Sequence, residues 1–180
     1  ASGLKIKEIA VSYDMIVHIV HPSNKVKSLT TDQLKAIYDG SITNWKEVGG
    51  DDMRIVVVSR ESSSGTYEYW HESIMKKTDT KKESLLQASS GAVVNTIANN
   101  PKSIGYVGFG YLEKSVKGLD VNGVPATLKN GKSGKFPISR KLYMYVNEKN
   151  YSADTKAFVN FLLGKEGQKL VSEAGFIPLK

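Results

Sequence analysis

The sequence predicts an α/β protein with a largely parallel sheet. Short β-branched runs alternate along the chain with segments of helical periodicity, the pattern of layered strands and helices. The run Val56-Val57-Val58 is continuously apolar rather than alternating, as in a strand covered on both faces. The segment after it carries Tyr67, Trp70, His71, Ile74 and Met75 at i, i+3, i+4, i+7 and i+8, an apolar stripe that turns toward a core.

Each element has a local cause. Two extended segments, LKIKEIAVS with alternation and MIVHIVH, fill the stretch up to Val20. In LTTDQLKAIYDG, Thr30 and Gln33 form a capping-box pair, Leu34, Ile37 and Tyr38 make the stripe, and Gly40 ends the helix. SITNWKEVGGDD reads as loop and MRIVVVSR as the strongest strand. A third helix in SSGAVVNTIANNP is capped by Ser89 or Ser90 and stops before Pro101. SIGYVGFG is a further strand, and Glu113 to Arg140, rich in Gly, Lys, Asn and Pro, reads as hairpins such as LDVNGVPAT. RKLYMYVN is a strand, SADTKAFVNFLLG a helix capped by Ser152, and KEGQKLVSEAGFIPL a last helix with Gly175 past its end.

The 180 residues allow one domain or two small ones. With 40% apolar and 24% charged residues, and no apolar run near the roughly 18 residues of a membrane span, the composition is that of a globular protein. A formal charge of +7 favours an acidic partner: nucleic acid, anionic lipid or a small anion. The densest lysines, in KKTDTKKES, read as a solvated turn between helices. Zero cysteines exclude disulfides, thiolate metal sites and cysteine nucleophiles, and the three histidines, His18, His21 and His71, lack a carboxylate cluster for a metal.

The chemistry concentrates at the junction VVVSRESSSGTYEYW. Ligands of α/β sheets bind beyond the carboxyl ends of strands, and the first turn of a helix offers unpaired N–H groups and a positive dipole end to an anion. Arg60 supplies a planar fork for two oxygens of a tetrahedral oxyanion. Ser64 and Thr66 supply hydroxyls, and Gly65 lets the backbone approach a ligand. A plain N-cap with a surface Arg60–Glu61 pair explains the same residues, so both readings stand on the motif alone. NGKSGKF lacks the first glycine and the buried strand of a P-loop, and Ser64 follows Ser62 and Ser63 rather than the pattern of a nucleophile elbow. No histidine and acid set suits a serine nucleophile, so an enzyme is not expected.

With that junction placed, the chain resembles the PstS family, substrate-binding proteins of phosphate ABC transporters with the periplasmic-binding-protein type 2 fold. The matching stretches are LTTDQLKAIYDGSITNWKEVGG, IVVVSRESSSGTYEYW, SGAVVNTIANNPKSIGYVGFGY, PISRKLYMYVN and FVNFLLGKEGQKLVSEAGFIPL, in family order over nearly the whole chain. The resemblance implies an α/β clamp: residues 18–106 as one complete lobe carrying the anion site, and residues 1–17 with 107–180 as the C-terminal half of the other lobe. It implies inorganic phosphate bound by Arg60, Ser64, Gly65 and Thr66, with Asp14 of VSYDMIV on the crossover strand. An aspartate there accepts the proton phosphate still carries near neutral pH and repels sulfate, which has none.

The resemblance further implies no enzyme activity, no cofactor, no metal and no nucleic-acid partner, an ABC transporter permease as partner, and an extracytoplasmic location with lipid anchoring of a full-length precursor. Family members carry an additional opening segment with a strand, a Ser/Thr-rich loop and a phosphate-binding helix start. Without it, RKLYMYVN and the C-terminal helices are expected to expose apolar faces that a second chain or self-association would cover. A non-transporting sensor or interaction module, and a receptor for sulfate or molybdate, are the alternatives within the same fold.

Overall fold

The computed structural model describes residues 5–180. The opening residues of the expected 1–17 segment, Ala1 to Leu4, lie outside the described residues. The strands are β1 (Ile6–Val20), β2 (Ser28–Leu29), β3 (Val56–Arg60), β4 (Leu85–Gln87), β5 (Ser103–Gly108), β6 (Lys117–Gly118), β7 (Asp120–Val121) and β8 (Ser139–Asn147). The helices are α1 (Thr31–Asp39), α2 (Gly65–Ser73), α3 (Ser90–Ala98), α4 (Leu128–Lys132), α5 (Ala153–Leu163) and α6 (Lys165–Glu173).

One sheet runs β4-β3-β5-β1-β6, with β8 paired to β1; β2 and β7 form a small parallel ladder of their own. The sheet is mixed rather than largely parallel. β3 runs parallel to β4 and β5, whereas β1 is antiparallel to β5, β6 and β8. Continuous apolarity reports burial on both faces, which a β-branched run satisfies beside neighbours of either direction. The two extended segments read at the start of the chain are one strand of 15 residues. Its first part pairs with β8, from Ile6↔Asn147 to Met15↔Ser139, with a register break between Ala10 and Ser12. Its last part pairs with β5, from Ile16↔Gly108 to Val20↔Ile104.

The caps behave as their residue types require. Thr30 and Gln33 close a capping box on α1, Gly40 takes the left-handed conformation (φ 90°) that ends it, and Ser89 and Ser152 cap α3 and α5. The stretch read as loop holds a 3₁₀ turn, Trp45–Val48, with its own capping box from Asn44 and Glu47. Helix α2 is shorter than its stripe: it ends at Ser73, and the chain turns through left-handed Lys76 and Lys77, while Met75 stays fully buried. In the Gly-rich region, Asn122 and Gly123 both have positive φ and join Val121 to Val124 in a tight hairpin. The helix α4 there went unread because LKNGK has weak helix propensity; Thr127 caps it.

The main core gathers Met15, Val17, Leu34, Tyr38, Trp45, Trp70, Tyr106 and Phe136, and a smaller cluster packs α3 on the sheet through Val93, Val94 and Ile97. His18 is fully buried near the end of β1, with its ring 4.6 Å from Trp70, 5.7 Å from Tyr38 and 5.9 Å from Tyr106. Tyr143 and Tyr145 on β8, Phe158 and Phe161 on α5, Leu170 on α6 and Phe176 after it are exposed.

The C-terminal segment is tied back by Ile177, which exchanges backbone hydrogen bonds with Tyr13. It also passes Gly110 so closely that a Cβ there would stand 2.4 Å from the Gly175 Cα. Backbone cannot yield as a side-chain tip can. Gly110→Ala is therefore expected to cost about 1 to 3 kcal/mol, the usual penalty of overpacking, read as a lower urea midpoint.

Candidate functional site

Helix α2 begins as the junction motif requires. Ser64 is its N-cap, buried, with Oγ accepting from the Tyr67 N–H at 3.4 Å. Gly65 and Thr66 form the first turn, whose N–H groups have no partner within the helix. A Cβ built on Gly65 would meet nothing within 4 Å, so the space at the helix start is open.

Arg60, the last residue of β3, turns toward the neighbouring strand end. Its Nε donates to the Gln87 carbonyl at 3.1 Å, Nη2 to the Ala88 carbonyl at 3.1 Å and Nη1 to Ser90 Oγ at 3.0 Å, in the first turn of α3. A guanidinium has five N–H groups, so one on each Nη is left over. The Tyr106 hydroxyl supports the strand end from below, 3.0 Å from Ser59 Oγ and accepting from the Arg60 N–H at 3.3 Å. Burial pushes the Tyr106 phenol up, against the bonds from Ser59 and Arg60.

Arg60 lines a cavity of about 380 Å³ together with Ser62, Tyr67, Lys81 and Lys82. The lysine-rich stretch read as a turn between helices thus links α2 to β4 and turns two lysines onto this cavity. Burial, with Arg54 nearby, lowers the Lys81 ammonium.

Asp14 sits on β1 directly opposite Arg140 of β8 and is 8% exposed. Arg140 donates to Asp14 Oδ2 from Nε at 3.3 Å and from Nη2 at 3.2 Å. The same Nη2 donates to the Gly65 carbonyl at 3.4 Å. The guanidinium lies over the Tyr69 ring at 4.6 Å, and the Tyr69 hydroxyl donates to the Ser139 carbonyl at 3.0 Å. Burial raises the Tyr69 phenol, with Arg140 opposing and Asp14 adding.

The structure therefore brings Asp14 and Gly65 together through Arg140, with Ser64 and Thr66 beside Gly65 in the chain, and holds Arg60 at the α3 side of the sheet end. Among the described residues no hydrogen bond joins Arg60 to Asp14, Ser64, Gly65 or Thr66. Arg140 is the residue sequence reasoning missed. Its stretch, PISRKLYMYVN, was read as a strand, but nothing local pairs it with an aspartate 126 positions away. Among the described residues no His, Asp or Glu cluster could hold a metal ion.

What can such an arrangement do? A helix start, two arginines and a buried carboxylate can hold a small oxyanion that donates one hydrogen bond of its own. Comparisons with known proteins identify the family. A family model described as a PBP superfamily domain matches residues 1–166. The phosphate-binding protein PstS of Borreliella burgdorferi is 32% identical over 185 residues, covering 97% of this chain and 66% of its own length. PstS of a Staphylococcus aureus strain is 35% identical, with 97% of this chain and 57% of that protein covered. The chain thus spans about three fifths of the length of these curated relatives.

Among solved structures, an ABC-type phosphate transport receptor from Vibrio cholerae superposes with a TM-score of 0.89 at 31% identity, covering 98% of this chain and 74% of that one. A substrate-binding protein from Clostridium perfringens, solved with bound phosphate, gives 0.86 at 39% identity, covering 97% and 72%. The matched residues and the shared fold place the chain in the PBP superfamily and, within it, in the PstS family of phosphate-binding proteins.

Proposed function

We propose that this chain captures inorganic phosphate on the outer side of a cell membrane and hands it to the permease of an ABC transporter. The observation that carries the reading is the open start of α2 at Gly65 bridged by one guanidinium to the buried carboxylate of Asp14. Ser64, Gly65 and Thr66 offer hydroxyls and amides, Arg60 its two remaining N–H groups, and Asp14 an acceptor for the proton of monohydrogen phosphate. Binding needs no covalent step, no metal and no cofactor. No helix among the described residues is long and apolar enough to cross a membrane, which fits a receptor outside the bilayer that meets the permease at its surface. In this reading residues 18–106 are the complete lobe, and residues 1–17 and 107–180 belong to the other. The exposed aromatic side chains of β8 and α5 fit burial against a second chain or a second copy of this one.

Calorimetric titration with inorganic phosphate tests the reading. The protein is expected to give phosphate-dependent heat, and Arg60→Ala to weaken binding by roughly tenfold to a hundredfold or more, as loss of a charge-assisted hydrogen bond implies. Absence of phosphate-dependent heat would remove the proposal; heat that Arg60→Ala leaves unchanged would remove the role of Arg60, and displacement of phosphate by equal sulfate the role of Asp14.

A further inference from the structure

Asp14 and Arg140 form an ion pair whose geometry is lopsided. Both contacts from Arg140 fall on Oδ2. Oδ1 has no hydrogen bond among the described residues, and a Cβ added at Gly108 would stand 3.8 Å from it. Oδ1 is not sealed among the buried unpartnered polar atoms, so it keeps a path to solvent and to a ligand. One oxygen is clamped and the other is kept free.

The clamp is itself fixed on three sides: in register by the β1–β8 ladder, in plane by the Tyr69 ring, and along its length by the Gly65 carbonyl. The guanidinium therefore sets the distance between the free oxygen and the start of α2, and it cancels the charge of Asp14 without occupying Oδ1.

We propose that Arg140 is the positioning residue for anion selection: it holds Asp14 with Oδ1 aimed at the anion, so that an anion presenting an O–H is preferred over one that does not. This rests on the phosphate reading. In it, Asp14 alone would repel every dianion, phosphate included; the paired Asp14 rejects only the anion that leaves Oδ1 without a donor. Lysine cannot replace the clamp, since a point-charge ammonium cannot span the carboxylate and the Gly65 carbonyl in one plane.

The test measures phosphate and sulfate affinities for the unsubstituted protein, Arg140→Ala and Arg140→Lys, with circular dichroism to confirm folding. Arg140→Ala is expected to lose roughly tenfold to a hundredfold in phosphate affinity, as for a hydrogen bond to a charged group, and most of its preference over sulfate. Arg140→Lys is expected to regain phosphate affinity in part and the preference hardly at all. A merely structural role would lower thermal stability and leave the phosphate-to-sulfate ratio unchanged.

Should Arg140→Ala not fold, Arg140→Lys and the Nε–H resonance of Arg140 decide. That resonance is expected to move on Asp14→Asn in the absence of any anion, and to move in the unsubstituted protein when phosphate is added. Phosphate binding with an unchanged ratio in the folded variants, or a resonance indifferent to phosphate that binds, overturns the role of Arg140 and leaves the phosphate reading standing. No phosphate binding by the unsubstituted protein overturns both.

Discussion

Trp70→Ala is expected to lower the free energy of unfolding by about 3 to 5 kcal/mol, the range for deleting a large buried aromatic side chain. Trp70 is fully buried on α2, with His18 at 4.6 Å, Tyr38 at 5.0 Å and Tyr106 at 5.6 Å between ring centroids. Its neighbours come from different elements, β1, α1 and β5, so no single shift can close the space its loss would open. The cavity term then adds to the transfer term. Trp70→Phe separates the two contributions. The indole Nε1 has no hydrogen-bond partner among the described residues, so replacing it removes an unsatisfied donor while most of the ring remains. Urea unfolding is expected to place Trp70→Phe much closer to the parent than Trp70→Ala, because the six-membered ring stays and only the smaller pyrrole half leaves a cavity. Equal losses for the two variants would show that the box is not packed as described. Because Tyr106 also supports Ser59 and the Arg60 amide, Trp70→Ala should additionally weaken the proposed phosphate binding.

Acid weakens the fold through the same box. His18 is fully buried, neither ring nitrogen has a partner among the described residues, and burial lowers its pKa from 6.5 to about 3. A base whose folded pKa lies below its unfolded value is neutral in the fold. Its contribution is intact above pH 6.5 and is lost as pH falls from 6.5 toward 3, because the unfolded chain binds the proton first. The slope is about 1.4 kcal/mol per pH unit, so roughly 2 to 3 kcal/mol is gone by about pH 4.5. His18→Phe keeps the ring and removes the titration. Urea midpoints at neutral and acid pH should therefore diverge for the parent protein and stay closer together for His18→Phe, which retains only the carboxylate dependence. A parent and variant with parallel pH profiles would mean that His18 finds a partner or water.

The sequence disclosed what is local. Thr30 with Gln33, Ser89 and Ser152 announce helix starts because their side chains accept from amides three residues away, well inside any reading window. Ser64, Gly65 and Thr66 were placed correctly at a helix start for the same reason. The direction of β1 was hidden, since the apolar pattern of MIVHIVH is the same beside parallel or antiparallel neighbours. Arg140 was hidden more deeply: it faces Asp14 only because β8 returns along β1 after most of the chain has been laid down. The junction reading foresaw a guanidinium beside the α2 start. Arg60 stands at the adjacent strand end and spends its bonds on Gln87, Ala88 and Ser90, while the guanidinium that touches Gly65 is the unforeseen Arg140. Long-range register, not residue chemistry, decides between two arginines of identical type. His18 shows a different limit, because a histidine in a strand gives no sign of whether its ring will meet solvent or three aromatic neighbours.

β1 changes partner between Met15, opposite Ser139, and Ile16, opposite Gly108. Ile16 is held on both sides, since its N–H also donates to the Ile138 carbonyl just before β8, and Asp14 lies a single residue from this change of partner. A change in the angle between the two ladders would therefore turn the Asp14 carboxylate relative to α2, so that an anion bound there and the bend of the strand would each bias the other.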